Sequence, residues 1–60
     1  MEDRFEIFQS VKNSQWYFRR RASNGEIVAA SEGYKNKIDC WSEAQRQADG
    51  LLVEEIEIGD

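Results

Sequence analysis

The sequence contains no histidine and no proline, and Cys40 is its only cysteine. Without histidine, the Cys–His pair that usually activates a thiol nucleophile is excluded. A lone cysteine forms no intramolecular disulfide, and without histidine it does not complete the usual Cys/His ligand set of zinc. The chain also lacks a phosphate-binding glycine loop. We therefore expect no catalytic residue, no metal and no cofactor, and we predict that the protein is not an enzyme.

Long apolar runs are missing too. No stretch approaches the roughly 18 apolar residues of a membrane span. The opening segment MEDRFEIFQS is acidic and amphipathic, whereas a signal peptide is basic and then apolar. A single free cysteine fits a reducing compartment. We expect a cytoplasmic protein with no membrane partner.

The chain is short, and its 60 residues form at most one domain, residues 1–60. A domain of this size buries only about 60% of the surface that its unfolded chain exposes. Such domains usually need a disulfide, a metal or a partner chain. Because the sequence supplies neither of the first two, self-association is the support that this size argument favours.

Apolar and polar residues alternate at 4–9 and 16–22, which predicts two strands. In the first, Phe5 and Ile7 share one face, and Glu6 and Phe8 share the other. Asn24-Gly25 then separates residues 16–22 from a returning strand at 26–31, and this dipeptide is the strongest short hairpin signal. We predict a type I′ turn with a two-residue loop. It would pair Ser23 with Glu26, Ala22 with Ile27, Arg20 with Ala29 and Phe18 with Ser31.

This register divides the three consecutive arginines of WYFRRR between the two faces of the sheet. The predicted first face carries Trp16, Phe18, Arg20, Ala22, Ile27 and Ala29. The predicted second face carries Tyr17, Arg19, Arg21, Val28 and Ala30. The arginines therefore do not form one cluster.

A helix is predicted after the Glu32-Gly33 break. Asn36 is its expected N-cap, with Asp39 in the position of a capping box, and Gly50 is placed to end it. A final strand is predicted at residues 51–58. The expected apolar helix face comprises Ile38, Trp41, Gln45 and Ala48, with Ala44 beside them. In the final strand Leu52, Ile56 and Ile58 share one face, and Val53, Glu55 and Glu57 share the other.

Four segments carry a family resemblance: FEIF at 5–8, WYFR at 16–19, NGEIVA at 24–29 and SEGY at 31–34, followed by Lys37 and Cys40. In these segments the chain resembles the YegP-like family of small bacterial proteins. The resemblance implies an α+β fold, an antiparallel sheet of β(3)-α-β units with the helix on one face. It also implies that two units join into one sheet and exchange their C-terminal strands. Since this chain has one unit, the resemblance implies a homodimer. The family has no established activity and brings no catalytic residues.

The residues with the strongest claim to binding are Phe8, Tyr17, Arg19 and Arg21, which give one sheet face an aromatic and basic character. Such a face is typical of proteins that stack single-stranded bases and contact phosphates. Alternatively, the arginines pair with the acidic final strand that carries Glu55 and Glu57. The formal net charge of −4 favours ion pairing over nucleic-acid binding.

The remaining candidates have structural interpretations that outweigh functional ones. The stem of Arg20 is expected to lie on Trp16 or Trp41, with its guanidinium reaching the rim or an acid such as Asp39. Cys40 is expected to be a buried or semi-buried structural thiol. The core is predicted to contain Trp16, Phe18 and Trp41. Tyr34 is expected to anchor the junction between strand and helix. The acids of the final strand, Glu54, Glu55 and Glu57, are expected to be solvated or paired with arginine. Glu26 and Glu32 have no spacing that marks them as an acid–base pair.

Together these features predict a non-catalytic dimeric module whose role is structural or is to bind another protein, as yet unidentified. The alternative is a module that binds single-stranded nucleic acid through Tyr17, Arg19 and Arg21.

Overall fold

The structure, a computed structural model, describes residues 2–57. Over that range the chain forms β1 (Arg4–Gln9), β2 (Trp16–Arg21), β3 (Ile27–Ala30), α1 (Lys37–Ala48) and β4 (Leu52–Glu55). The predicted α+β class is confirmed, as is the order of three strands, a helix and a strand.

The sheet has the strand order β3-β2-β1-β4. β1 pairs antiparallel with β2, and β2 antiparallel with β3, but β4 runs parallel to β1. The prediction of an entirely antiparallel sheet is therefore wrong, because this sheet is mixed. The cause is the helical connection, which brings the chain back across the sheet so that β4 runs in the same direction as β3 and β1.

The core lies between one face of the sheet and α1. Its buried apolar residues are Phe5, Ile7, Phe18, Cys40, Ala44 and Ala48, and the partly buried residues packed against them are Trp16, Tyr34, Trp41, Leu51 and Val53. The predicted alternation in β1 is confirmed, because Phe5 and Ile7 face the helix. The ring of Phe18 lies 6.0 Å from that of Phe5 and 6.2 Å from that of Tyr34, which supports the predicted core and anchoring roles.

The turn between β2 and β3 differs from the predicted type I′ turn. Gly25 has φ of 94°, but Asn24 is not among the positive-φ residues. The N–H of Gly25 donates to the carbonyl of Ala22 at 2.8 Å, and the N–H of Ala22 donates to the carbonyl of Glu26 at 2.7 Å. These bonds define a three-residue loop in which a type I turn is followed by a left-handed glycine.

A bulge farther along the hairpin compensates for the extra loop residue. Arg21 pairs with Ile27, while Arg20 pairs with Ala29, so the register shifts between the two arginines. The predicted pairing of Arg20 with Ala29 is confirmed, and those of Ala22 with Ile27 and Ser23 with Glu26 are wrong. Because directly opposed residues point to the same side, Ile27 falls on the face of Arg21 instead of the helix-facing side.

Helix α1 begins after Asn36, as predicted, but the Asn36 side chain makes no capping bond to the backbone and instead donates to Asp39 Oδ2 at 3.3 Å. The predicted apolar face is confirmed for Ala44 and Ala48, which are buried, and for Trp41, which packs against the core. It is wrong for Ile38, which is 77% exposed, and for Gln45, which is also exposed. The buried stripe is Cys40, Ala44 and Ala48. Ile38 and Cys40 lie two positions apart, about 200° around a helix, so they do not share a face. Within residues 2–57 no helix has the length and apolarity needed to cross a bilayer.

The helix ends at Ala48, followed by Asp49 and Gly50 with φ of 49° and 95°. This left-handed ending, at the predicted glycine, turns the chain directly into β4. Val53 of β4 packs against the core, whereas Leu52 is 58% exposed on the other face. The predicted strand extended to Ile58, which lies outside the described residues.

Candidate functional site

The sheet face opposite α1, here called the open face, brings the four predicted binding residues together. The register opposes Phe8 to Tyr17 and Glu6 to Arg19, and Arg21 lies two residues farther along β2. The open face carries Arg4, Glu6 and Phe8 of β1, Tyr17, Arg19 and Arg21 of β2, and Leu52 and Glu54 of β4. The predicted division of the arginines is confirmed, since Arg20 projects from the helix side.

The centre of the open face is a buried carboxylate. Glu6 is only 5% exposed. Its Oε1 accepts hydrogen bonds from Arg19 Nε at 2.8 Å and from Arg21 Nε at 3.1 Å. Its Oε2 lies 3.4 Å from Arg4 Nε, which is also 3.4 Å from Glu54 Oε1. The face is thus a compact charge network whose arginines are already engaged.

The prediction that Arg19 and Arg21 pair with the final strand, which carries Glu55 and Glu57, is therefore wrong. β1 lies between β2 and β4, so the acid closest to the arginines is Glu6 on the adjacent strand. Glu55 projects to the helix side, where its Oε1 lies 2.5 Å from Lys37 Nζ. The expectation that the arginines are neutralised by acids holds, with a different acid.

The pKa of Glu6 reflects two opposing effects. Burial raises the pKa, because it disfavours the charged carboxylate. The hydrogen bonds and positive charges of Arg19 and Arg21 lower it, and together they outweigh burial, so the pKa lies below its usual value. Glu6 is consequently ionised at neutral pH and holds the two guanidinium groups in place.

The aromatic residues of the open face contact each other. The rings of Phe8 and Tyr17 stack with centroids 5.8 Å apart and planes 18° apart. The guanidinium carbon of Arg19 lies 5.1 Å from the Phe8 centroid, within cation–π range. The Tyr17 hydroxyl accepts a hydrogen bond from Asn13 Nδ2 at 2.8 Å. The ring faces that Phe8 and Tyr17 turn toward each other, and the position over Phe8 that Arg19 occupies, are therefore already engaged.

Arg20 makes contacts other than those predicted. Its Nε donates to Asp3 Oδ2 at 2.8 Å, and its guanidinium carbon lies 5.8 Å from the ring centroid of Phe5. The predicted contact with Trp16 or Trp41 is wrong. The expectation that the guanidinium reaches an acid holds, with Asp3 in place of Asp39. The cause is the register, which places Arg20 directly opposite Phe5.

Cys40 is fully buried, as predicted, and burial raises the pKa of its thiol to about 11. A protonated thiol without solvent access is a poor nucleophile. Among residues 2–57 no three acidic or cysteine side chains are grouped in a way that could hold a metal ion.

Sequence reasoning missed a groove on the helix side of β3. It has a volume of about 400 Å³, and its lining includes Phe5, Phe18, Tyr34, Ala29, Arg20 and Gln47. The groove exists because α1 packs against β1, β2 and β4 and, in the described part of the chain, makes no contact with β3. The only sequence signal was the run Ile27-Val28-Ala29-Ala30, an apolar strand with small residues at its end.

Comparison with known sequences relates this chain to bacterial proteins of unknown function. Residues 12–46 match the family described as "Domain of unknown function (DUF1508)". A UPF0339 protein of Treponema denticola is 40% identical over 42 residues, which cover 70% of this chain and 71% of that protein. A UPF0339 protein of Agrobacterium fabrum is 56% identical over 34 residues, 57% of this chain and 53% of that protein.

A third relative, named as a UPF0339 protein in the 5′ region of the ptx operon of Stutzerimonas stutzeri, is 45% identical over 40 residues. That match covers 67% of this chain and 35% of the relative, so the chain spans about half or less of two of these three proteins. No solved structure matches the chain.

Proposed function

Because the chain belongs to the DUF1508 family of bacterial UPF0339 proteins, a domain of unknown function, we propose its role from its geometry alone. Membership confirms the YegP-like resemblance. We propose a non-catalytic, cytoplasmic module that acts by binding another polypeptide and that forms a homodimer. The observation that carries this proposal is the apolar exposure of both edge strands: Ile27, Val28 and Leu52 are each at least half exposed. Apolar side chains exposed along the edge strands of a sheet are typical of surfaces that bind another chain.

The proposed dimer exchanges β4 between two copies. In one chain Val53 pairs with Phe5, and Leu52 with Arg4. An exchanged strand would make the same pairs with the β1 of a partner. The connection supports this arrangement, since only residues 49–51 separate α1 from β4. Short hinges favour exchange, and this one already holds the non-glycine Asp49 at φ of 49°.

A cysteine pair distinguishes an exchanged strand from one that stays in its own chain. We expect the Arg4→Cys/Leu52→Cys variant to form a covalent dimer on mild oxidation, because these positions are Cα partners on adjacent strands. Non-reducing gel electrophoresis with sedimentation analysis measures the product. The single variants Arg4→Cys and Leu52→Cys are controls for random cross-linking, and Cys40 is buried and does not compete. A disulfide that closes within one chain would show that β4 is not exchanged.

The alternative, single-stranded nucleic-acid binding, is favoured by one observation: Phe8, Tyr17, Arg19 and Arg21 do share the open face. The engagement of both arginines by Glu6 opposes it. We expect no salt-dependent change in the anisotropy of labelled single-stranded DNA or RNA when the protein is titrated, because few positive charges remain to release counterions. Binding at low salt that is lost in an equally folded Arg19→Ala/Arg21→Ala variant would establish the alternative instead.

A further inference from the structure

The two edges of the sheet are protected to different degrees. β4 carries Glu54 and Glu55, and charged side chains on an edge strand discourage pairing with other chains. β3 has no charge and no proline, and all four of its residues are exposed. The bulge in β3 lies near the hairpin turn, between Ile27 and Ala29, which pair with Arg21 and Arg20. The end of β3 farther from the turn pairs regularly with β2. The β3 edge, meaning the side of Ile27–Ala30 that faces away from β2, is therefore open to a further strand.

The backbone at the regular end of β3 has hydrogen-bonding groups directed outward. The N–H of Ser31 donates to the carbonyl of Phe18 at 2.8 Å, so Ser31 bonds toward β2. In an antiparallel ladder successive residues alternate between bonding inward and outward. The N–H and carbonyl of Ala30 consequently point away from β2, where an added strand would bond to them.

The groove lies directly beside this edge. A strand added to β3 would place alternate side chains on the helix side, next to Ala29. Ala29 is small, and behind it the groove opens onto the rings of Phe18 and Tyr34. Its volume of about 400 Å³ exceeds that of a single large side chain, so it admits an aromatic or long aliphatic group.

The charges at the ends of β3 indicate what should flank that apolar group. Glu26 immediately precedes the strand and Glu32 follows it after Ser31, and both are exposed. Neither carboxylate forms an ion pair with any residue between 2 and 57. Basic residues near both ends of an added strand would complement these charges.

We propose that the β3 edge binds an extended segment of another protein by strand addition, with a large apolar side chain facing the groove and a basic residue at each end. This inference rests on the proposed function as a protein-binding module and names the surface and the chemistry of the partner. A second copy fits less well, because an antiparallel β3 pair brings acidic ends toward acidic ends. The alanines of a second β3 would also leave the groove empty.

The test uses the intact protein and a labelled, terminally blocked peptide of sequence Lys-Val-Thr-Phe-Thr-Val-Lys, measured by fluorescence anisotropy. We expect saturable binding to the wild-type protein, and binding about tenfold weaker when Phe is replaced by Ala or both Lys by Glu in the peptide. In the protein, Ala30→Pro removes the outward N–H and should weaken binding by about tenfold. The matched control Ala30→Val keeps that N–H and should bind like the wild type.

The Glu26→Lys/Glu32→Lys variant provides a second test that does not depend on proline being tolerated. It should reverse the preference, so that the peptide with Glu at both ends binds more tightly than the one with Lys. Equal binding by the Ala30→Pro and Ala30→Val proteins, or no binding of the Phe peptide to the wild type, would overturn the proposal. So would self-association of the wild type that Ala30→Pro abolishes, because the occupant would then be a second copy. None of these results alters the outcome of the Arg4→Cys/Leu52→Cys cross-link, which tests the dimer separately.

Discussion

Deletion of residues 51–60 is expected to leave a chain that no longer unfolds cooperatively. The deletion removes Leu51 and Val53 from the core and uncovers the edge of β1, where Ile7 is fully buried. Full burial of such a side chain contributes roughly 1.5–3 kcal/mol and these two are partly buried, but a single core of this size rarely supplies more than about 3–5 kcal/mol in total. Urea titration followed by tryptophan fluorescence and far-ultraviolet circular dichroism measures the effect. A sigmoidal transition in the truncated chain would show that β4 is dispensable.

Two substitutions in β4 determine whether the loss comes from packing rather than from chain length. Val53→Asp places a carboxylate against the core and should abolish cooperative unfolding as the deletion does. Leu52→Asp introduces the same carboxylate on the open face, where the side chain is 58% exposed, and should leave the transition close to that of the wild type. Equal destabilisation by the two variants would mean that β4 is not oriented as described.

The strands and their faces could be predicted because the two-residue period is local. Phe5, Ile7 and Phe18 fall on the core side from alternation alone, and the open face follows from the residues between them. The turn could not be predicted in the same way. The predicted two-residue loop without a bulge and the observed three-residue loop with a bulge both leave Arg20 opposite Ala29. Ile27 and Val28 are exposed at the edge, so no burial requirement selects one register over the other.

The helix face and the arginine partners depend on information that is not local. Sequence patterns give most weight to large apolar residues, which favoured Ile38 and Trp41. Trp41 does pack against the core, but Ile38 does not, and the fully buried stripe consists of the small side chains Cys40, Ala44 and Ala48. These small residues let the helix approach a sheet whose aromatic residues fill the remaining volume. The acid that pairs with Arg19 depends on strand order. The sequence predicted which residues share a face, but not that β1 separates β2 from β4.

Glu6 holds the open face together, and its substitution should be more damaging than that of any other acid on that face. Glu6→Gln retains the shape of the side chain but removes the charge that Arg19 and Arg21 bind at 2.8 and 3.1 Å. We expect the free energy of unfolding at pH 7 to fall by roughly 1–3 kcal/mol, because the Gln amide oxygen still accepts both hydrogen bonds but lacks the charge that strengthens them. Urea denaturation measures this difference.

Glu54→Gln is the matched control. Glu54 lies beside Glu6 in the parallel register and shares Arg4 with it, but its side chain is 42% exposed. Exposed ion pairs contribute about 0–1 kcal/mol, so this variant should differ little from the wild type. A Glu54→Gln effect as large as that of Glu6→Gln would mean that burial does not distinguish the two acids.

The pH dependence gives the Glu6 prediction a definite sign. The pKa of Glu6 is lower in the folded protein than its ordinary value of 4.5, so the unfolded chain binds its proton first as the pH falls. Its stabilising contribution is therefore fully present above pH 4.5 and is lost as the pH falls below that value through the folded pKa. The difference in unfolding free energy between wild type and Glu6→Gln should be largest at neutral pH and should shrink below pH 4.5. A difference that stays constant across this range would mean that the arginines do not depend on the ionised carboxylate for their place on the open face.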